Sequence, residues 1–246
     1  RLQSDGVDVS AISIHPTAAT GSAFVRYRQD GNRDFIFNIK HSACAAIALT
    51  QEANALLNNA DHLHIMGSAL FSQGIVSAIH EATIRIKAKG GTVTFDPNIR
   101  KEMLDLPGMR EALFHALENT DLFMPSGPEI FLFTQASEEK AAVAELLDRG
   151  IKSIVIKRGD EGASYFDQSG EVFAPAFKVE EVDPTGAGDS FGAAFVTCWL
   201  RGMPAKEALH IANATGACAV QVKGPMEGTS SMIEIAAFLD KNGVPL

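Results

Sequence analysis

The sequence predicts an α/β fold built around a mostly parallel sheet, and three observations support this. Short apolar runs alternate with helical stretches of about 10–15 residues, which is the pattern of βαβ units. Four of these runs are followed directly by small, polar or charged residues. Right-handed crossovers bring the carboxyl ends of parallel strands to one edge of the sheet, where open α/β sheets bind ligands. The fold class therefore predicts a ligand site at that edge.

The elements follow in a regular order. A β-hairpin is predicted within residues 20–43, with turn residues Asp30, Gly31 and Asn32 between its strands. Four helical stretches then each precede a short strand, and the pairs are 50–59 with 62–66, 72–89 with 92–95, 107–119 with 121–124, and 138–149 with 153–156. A second hairpin spans 162–174. Three helices complete the chain at about 190–201, 204–221 and 231–242.

Composition excludes several classes of protein. The 246 residues carry a net charge of −9, which disfavours a nucleic-acid or anionic-membrane partner. No apolar run reaches the roughly 18–20 residues that span a bilayer, and the chain does not begin with a signal peptide. The cysteines, Cys44, Cys198 and Cys218, are odd in number and widely spaced, as expected of buried thiols in a reducing compartment. We therefore expect a cytoplasmic protein.

A glycine-rich turn is the strongest local feature. The segment Asp183-Pro-Thr-Gly-Ala-Gly-Asp189 leads directly into a strongly apolar helix. Such a turn exposes backbone N–H groups at a helix N-terminus, which is a natural phosphate site. Asp189 stabilises a helix end at the least. Beside an anion site, a carboxylate is also well suited to take a proton from an incoming hydroxyl.

Three general motifs were compared with this segment. No GxxxxGK[ST] phosphate loop occurs in the chain. Gly186, Gly188 and Gly192 imitate a dinucleotide fingerprint, but the helix after them leads to another helix rather than to a strand. Gly188-Asp-Ser-Phe-Gly192 also has the spacing of a hydrolase nucleophile elbow, for which His210 is the only histidine downstream. Dinucleotide binding and hydrolysis therefore remain weak alternatives at this point.

Taken whole, Asp183-Pro-Thr-Gly-Ala-Gly-Asp189 resembles the C-terminal signature of the ribokinase-like (PfkB) carbohydrate kinases. Further segments resemble family motifs in the same order: His64-Ile-Met-Gly67, Asp96-Pro-Asn-Ile-Arg100, Lys157-Arg-Gly-Asp-Glu-Gly-Ala163, and Asn213-Ala-Thr-Gly-Ala217 with Gly224. The resemblance implies a three-layer α/β/α fold in which residues 1–246 form a single kinase domain. It also implies ATP-dependent phosphorylation of a sugar hydroxyl, with Mg²⁺ and possible use of K⁺.

The resemblance assigns roles to individual residues. Asp189 matches the catalytic base, the amides of Gly186, Ala187 and Gly188 match the anion hole, and Arg100 lies near the phosphate-transfer cleft. The positions that match nucleotide contacts are Lys157, Gly159, Gly162, Thr185, Asn213, Ala217 and Ser126. Glu129 matches the acid that organises Mg²⁺ through water, and Asp183 lies in the monovalent-cation region. The expected substrate positions are Arg26, Phe37, Gly67, Asp96 and Asn98.

The sequence departs from the family pattern in two places. Ser126 replaces the family's asparagine in NxxE, so one amide of the Mg²⁺–water network is lost. The family's first strand and acidic sugar-binding residues are absent, and the chain begins without an initiator methionine. We therefore expect that an N-terminal portion precedes Arg1 in the natural protein. In this family, hairpins like residues 20–43 act as lids or pair into dimers, which predicts a homodimer.

The substrate is the least determined property. The hairpin and the loop from Phe37 to Ala43 look most similar to the 2-keto-3-deoxygluconate kinase branch. The tyrosine and arginine expected before Ser42 are missing, however, so a neutral ketose such as fructose or tagatose is an alternative. A third alternative is a catalytically weak regulatory protein that binds nucleotide or sugar on the same fold.

Overall fold

The computed structural model describes residues 1–27 and 33–244, which form two compact units. The first unit contains residues 1–93 and 99–119, and the second contains residues 94–98 and the chain from residue 120 onward. The predicted turn residues Asp30, Gly31 and Asn32 lie outside the described part of the chain. Among the described residues, no helix has the length and apolar character that crossing a membrane would require.

The first unit begins with an irregular segment and then a hairpin. Strands β1 (Ser22–Tyr27) and β2 (Arg33–Asn38) pair antiparallel, with Phe24 opposite Ile36. The remaining elements of this unit are α1 (Gln51–Asn59), β3 (His62–Met66), α2 (Gln73–Ala88) and α3 (Met109–Glu118). Hydroxyl N-caps start two of these helices, since Thr50 Oγ1 accepts the Ala53 N–H and Ser72 Oγ accepts the Ile75 N–H.

The central sheet has six strands in the order β3-β4-β5-β6-β7-β8. The strands after β3 are β4 (Thr92–Asp96), β5 (Leu122–Phe123), β6 (Ser153–Lys157), β7 (Gly162–Asp167) and β8 (Gly170–Pro175). Strands β4, β5 and β6 run parallel, whereas β7 and β8 extend the sheet as an antiparallel hairpin. The predicted α/β fold with a mostly parallel sheet and a separate small hairpin is confirmed.

The helices of the second unit cover a core of large apolar side chains. They are α4 (Glu139–Asp148), α5 (Ala187–Leu200), α6 (Ala205–Val220) and α7 (Met232–Lys241). Phe191 and Phe195 of α5 stack with ring centroids 6.2 Å apart and join Leu122 and Met124 in one buried cluster. The alanine-rich α6 contributes Ala208, Ala212 and Ala214 to the same cluster, and such small side chains let helices approach closely while filling the core.

The 3-10 helices were not predicted, and one of them, Gly127–Leu132, contains the predicted site residue Glu129. It follows β5 after the short segment 124–126, where a loop was expected. Pro128 suits its first turn because proline presets the helical φ angle and gives up an N–H that would be unsatisfied there. Glu129 accepts the Ser126 N–H at 2.7 Å, which closes the start of the turn. The consequence is that Ser126 and Glu129 are held in fixed positions after the central strand.

Gly162 and Gly170 offer a matched test of the β7–β8 hairpin, since both have positive φ angles (116° and 128°). A Cβ at Gly162 would lie 2.2 Å from the Ala174 carbonyl oxygen, whereas a Cβ at Gly170 would meet nothing within 4 Å. Gly170→Ala should cost about 1–2 kcal/mol in backbone strain alone. Gly162→Ala should lower the free energy of unfolding by about a further 1–3 kcal/mol through overpacking. Urea denaturation of both variants measures this, and equal losses would contradict the close approach.

Candidate active site

The glycine turn ends at Gly186, and helix α5 begins at Ala187, three residues before the predicted start at 190. Gly186 has a φ of 85° and serves as the N-cap in a left-handed conformation. A Cβ at this position would lie 2.2 Å from the carbonyl oxygen of Pro225. Both the backbone angle and the neighbouring carbonyl therefore require glycine. Ala187, Gly188 and Asp189 consequently form the first turn of the helix.

Several N–H groups at this helix start have no acceptor within the chain. Gly186, Gly188 and Asp189 donate to no acceptor among the described residues, and the helical bonding begins with Ser190 N–H to Gly186 O at 2.9 Å. The Ala187 N–H is directed to the Pro184 carbonyl at 3.4 Å, which is a long contact. Free N–H groups and the positive end of the helix dipole together favour an anion. The anion site predicted from the sequence therefore has suitable geometry.

Asp189 lies in the same helical turn and is exposed to solvent. Its carboxylate makes no hydrogen bond or ion pair with any residue that the structure describes. A carboxylate in the first turn of a helix is stabilised by the dipole, and lone-pair capacity remains available on both oxygens. The group is therefore accessible to an external proton donor beside the free amides.

Asp183 ties together the loops on either side of the glycine turn. Its carboxylate is buried and accepts the Thr185 N–H through Oδ1 and the Gly224 N–H through Oδ2, both at 3.0 Å. Its own N–H donates to the Val220 carbonyl at the end of α6. Charge-assisted bonds of this kind are about twice as strong as neutral ones. The loop that precedes the anion site is thereby fixed to the loop that contains Pro225.

Three parallel strands deliver polar residues to the carboxyl edge of the sheet. Asp96 ends β4, Ser126 follows β5, and Lys157 ends β6. Ser126 forms an isolated parallel bridge with Lys157, whose N–H donates to the Pro125 carbonyl at 3.0 Å. The carboxylate of Asp96 forms an ion pair with the Lys157 ammonium and accepts the Asn98 N–H at 3.0 Å. These three polar residues therefore converge at the carboxyl edge of the sheet, as expected, within the second unit.

The predicted nucleotide residues lie in separate elements of the second unit. Gly159 and Gly162 both have positive φ angles in the turn after β6. Asn213 is buried, and its Nδ2 donates to the carbonyls of Ala174 and Pro175 at 3.1 Å each, so its amide nitrogen joins α6 to the end of β8. Ala217 is buried one helical turn further along α6. The amide nitrogen of Asn213 therefore has a structural task that the sequence did not indicate.

The remaining predicted residues belong to the first unit. Gly67 is buried at the start of a 3-10 helix directly after β3. Arg100 is half-buried and donates from Nη1 to the Ile99 carbonyl at 3.4 Å. Arg26 is exposed on β1, and Phe37 is half-buried on β2. The second unit thus holds the anion site, Asp189 and the polar sheet edge, and the first unit holds these four.

Two site features were missed by sequence reasoning. The Asp96–Lys157 ion pair joins residues that had been assigned separately to substrate and nucleotide, and the Pro225 carbonyl sets the conformation of Gly186. The only signal for the pair was a pair of opposite charges at the ends of two strands. Among the described residues, no group of three or more His, Cys, Asp or Glu side chains is arranged to hold a metal ion.

The fold and the site define a class of protein. N–H groups without acceptors at a helix start favour an anion. The Asp189 carboxylate, which has no partner among the described residues, lies in the same turn, and Lys157 lies at the carboxyl edge of the sheet. This combination suits transfer of a phosphoryl group to an alcohol, which requires alignment and charge stabilisation rather than a covalent protein intermediate. The α/β fold supplies the position of the site at the carboxyl edge of the strands.

The chain belongs to the pfkB family of carbohydrate kinases, whose family model matches residues 1–232. It is 34% identical over 245 residues to 2-dehydro-3-deoxygluconokinase from Thermoproteus tenax, covering 97% of this chain and 74% of that protein. It is 30% identical over 233 residues to fructokinase-2 from Zea mays, covering 91% of this chain and 69% of that protein. The protein is thus an ATP-dependent carbohydrate kinase.

Solved structures agree with this assignment. A candidate ribokinase II from E. coli, solved in its apo form, has a TM-score of 0.92 and 49% identity to this chain. The match covers 98% of this chain and 77% of that one. The same E. coli protein has also been solved in complex with ATP and Mg²⁺, and that structure has a TM-score of 0.91. The ribokinase-like fold implied by the sequence motifs is therefore confirmed.

Proposed function

We propose that this kinase transfers the γ-phosphoryl group of ATP to a hydroxyl of 2-keto-3-deoxygluconate or a closely related sugar acid. The observation that carries the proposal is the exposed Asp189 carboxylate, free of partners in the described chain, in the same helical turn as free amides. The relationship to the Thermoproteus tenax 2-dehydro-3-deoxygluconokinase favours the sugar acid. The names 2-dehydro-3-deoxygluconate and 2-keto-3-deoxygluconate denote the same compound. In this proposal residues 1–246 act as a single kinase domain.

In the proposed mechanism, Asp189 accepts the proton of the substrate hydroxyl while the hydroxyl oxygen forms a bond to the γ-phosphorus. The bond between that phosphorus and the bridging oxygen breaks, and ADP leaves. The amides of Gly186, Gly188 and Asp189 donate to the phosphoryl oxygens, where negative charge is held during transfer. Ala187 contributes through the helix dipole, because its N–H is directed to Pro184. We also propose a catalytic role for Arg100, because Asp96-Pro-Asn-Ile-Arg100 resembles a family motif. Preorganised donors of this kind need no rearrangement when the reaction occurs.

The proposed nucleotide site uses the turn after β6. Gly159 and Gly162 allow the backbone to approach phosphate closely, and Lys157 supplies positive charge at the sheet edge. Thr185 lies beside the anion site, with its N–H already donated to Asp183 and its hydroxyl left for a phosphate oxygen. Ser126, Asn213 and Ala217 complete the set of proposed nucleotide residues. The buried Asn213 would act through the carbonyl edge that it holds in place.

The chain suits Mg²⁺ held mainly by phosphate and water. Mg²⁺ typically binds through one or two carboxylates together with substrate phosphates and several waters, so a cluster of acids is not required. Glu129 is the proposed carboxylate, and its hydrogen bond from the Ser126 N–H fixes its direction. Bound Mg²⁺ would supply positive charge that offsets the negative charge of the phosphates. We assign Asp183 to a K⁺ region because it orders the two loops whose carbonyls could surround that ion.

A neutral ketose is the second candidate substrate. The relationship to the maize fructokinase favours it, as does the absence of a tyrosine and an arginine in the loop after Phe37. Arg26 is exposed on β1 and Phe37 is half-buried on β2, so both have surface available for a sugar. We propose Gly67, Asp96 and Asn98 as the remaining substrate-side positions. A regulatory protein without turnover is disfavoured by Asp189, whose carboxylate has no partner among the described residues.

We propose that the hairpin β1–β2 pairs two copies of the chain into a homodimer. Phe24 and Ile36 lie directly opposite each other in the register and are 63% and 67% exposed. A two-stranded hairpin is marginally stable alone, and an adjacent apolar pair on one face is stabilised when a second surface covers it. A second hairpin of the same kind presents the same face, as a two-fold interface requires.

Asp189→Asn should retain nucleotide binding and lose turnover. Removing the base should lower kcat by about 10²–10⁴-fold, because the amide cannot accept the proton. ADP release with the best sugar measures the rate, and calorimetric ATP binding measures retention of the site. Glu207→Gln is the matched control, since Glu207 is an exposed acid in the first turn of α6. A kcat for Asp189→Asn near that of the unmodified protein would exclude Asp189 as the base.

A substrate screen should separate the two sugar classes. ADP release is compared for 2-keto-3-deoxygluconate, fructose, tagatose and ribose, using the full natural protein. We expect kcat/KM to be highest for 2-keto-3-deoxygluconate. A clear preference for fructose or tagatose would replace the sugar acid by a neutral ketose, and no turnover with any of them would refute the proposed reaction.

Phe24→Ser and Ile36→Ser should each weaken the dimer. Each change removes apolar area from the proposed interface, so the dissociation constant should rise by at least about tenfold. Light scattering after size-exclusion chromatography over a concentration series measures this. Ile84→Ser on α2 is the control, because Ile84 is also an exposed apolar residue of the same unit. A monomeric unmodified protein, or equal effects of all three changes, would contradict dimerisation through the hairpin.

A further inference from the structure

The ion pair between Asp96 and Lys157 is unusually buried for a site at the sheet edge. The Lys157 side chain is 10% exposed, and the Asp96 side chain is 3% exposed. Withdrawing two charges from water costs several kcal/mol per ion, and an apolar pair of similar volume often serves a fold equally well. Stability alone therefore gives little reason for these two charges. Ligand binding is an alternative reason.

Asp96 and Lys157 differ in how many of their hydrogen-bonding groups have partners. Both carboxylate oxygens of Asp96 have partners, Oδ2 with the Lys157 ammonium and Oδ1 with the Asn98 N–H at 3.0 Å. The ammonium has three N–H donors and no acceptor, and within the described chain Asp96 is its only partner. Two donors on a nearly buried cation thus remain for an acceptor that comes from outside the chain. A phosphate oxygen is an acceptor of this kind.

The sheet places Asp96 and Lys157 at its carboxyl edge, where the proposed reaction occurs. Strand β5 lies between β4, which ends in Asp96, and β6, which ends in Lys157. Helix α5 starts against the end of β5, since a Cβ on Gly192 in its second turn would lie 3.3 Å from the Met124 Cε. The helix start that carries the free amides and the two strand ends that carry the ion pair therefore belong to the same end of the second unit.

We propose that Asp96 is a positioning residue, whose carboxylate aims the Lys157 ammonium at the terminal phosphate of the bound nucleotide. This inference rests on the proposed function and deepens it. Without the carboxylate, a flexible lysine side chain samples several rotamers and its charge points variably into solvent. With it, the cation is fixed before the nucleotide arrives, so no reorganisation is needed during phosphoryl transfer. This role replaces the sugar contact proposed above for Asp96, because both of its carboxylate oxygens already have partners.

The first test compares Asp96→Asn, Lys157→Met and the double variant in steady-state ADP release. A positioning role predicts that Asp96→Asn lowers kcat by about 100-fold, as displacement of a reacting group by about 1 Å can do. It also predicts that adding Asp96→Asn to Lys157→Met lowers kcat no further, because the cation to be positioned is already gone. The double variant also avoids an unpaired buried charge, so it remains informative if Asp96→Asn folds poorly.

The second test measures binding of ADP and of a non-hydrolysable ATP analogue with Mg²⁺ by calorimetry. If Lys157 is aimed at the terminal phosphate, the unmodified protein should bind the analogue more tightly than ADP. Asp96→Asn and Lys157→Met should both reduce that preference by about tenfold, the size expected for one charge-assisted hydrogen bond. A purely structural role would instead weaken both ligands alike or neither. Asp96→Glu, which keeps the charge, should restore part of the preference.

Asp121→Asn is the matched control. Asp121 is equally buried and pairs with Lys152 at 2.9 Å, but these residues precede β5 and β6 and so lie at the amino edge of the sheet. This change should alter stability and leave kcat and the nucleotide preference unchanged. Turnover of Asp96→Asn within about twofold of the unmodified protein, or additive losses in the double variant, would overturn the inference while the proposed function stands. Absence of turnover in the unmodified protein refutes the proposed function, and the nucleotide preference then decides the inference alone.

Discussion

The backbone conformation of Gly186 is the constraint on which the candidate site depends. Its φ of 85° reverses the chain before α5, and the Pro225 carbonyl occupies the space that any side chain would need. The amides of Gly186, Gly188 and Asp189 have no acceptors among the described residues, at the positive end of an apolar helix. A candidate anion site thus arises from backbone groups alone, and glycine is the residue that permits its conformation.

The carboxylates at this end of the second unit divide into two kinds. Asp183 holds two loop amides, Asp96 holds a lysine and an amide, and Glu129 holds the amide that follows β5. Asp189 differs from them because none of the described residues bonds to its carboxylate. The first three acids therefore fix the loops and side chains to which they bond. The carboxylate oxygens of Asp189 remain available to a ligand. This division explains how an acidic group can lie beside an anion site and still have a chemical task.

Most of the fold could be predicted because its signals are local. Strand 153–156 was predicted and Ser153–Lys157 was found, and helix 50–59 was predicted and Gln51–Asn59 was found. Apolar periodicity and hydroxyl caps act over a few residues, so neighbouring letters contain them. The start of α5 was placed three residues late because glycine and aspartate have weak helix propensity. The 3-10 helix at Gly127–Leu132 was missed because its proline and glycine also suit a loop.

By itself the sequence determined the fold class and the family and supplied the candidate residues for phosphoryl transfer, since motif spacing and periodicity are properties of the chain order. Tertiary structure alone decided which of those residues already have hydrogen-bond or ion-pair partners within the described chain. Asn213 is committed to carbonyls 38 and 39 residues away, and Lys157 to a carboxylate 61 residues away, whereas Asp189 has no such partner in the described chain. Hydrogen bonds and ion pairs form between groups that are close in space, and distance along the chain does not encode that proximity.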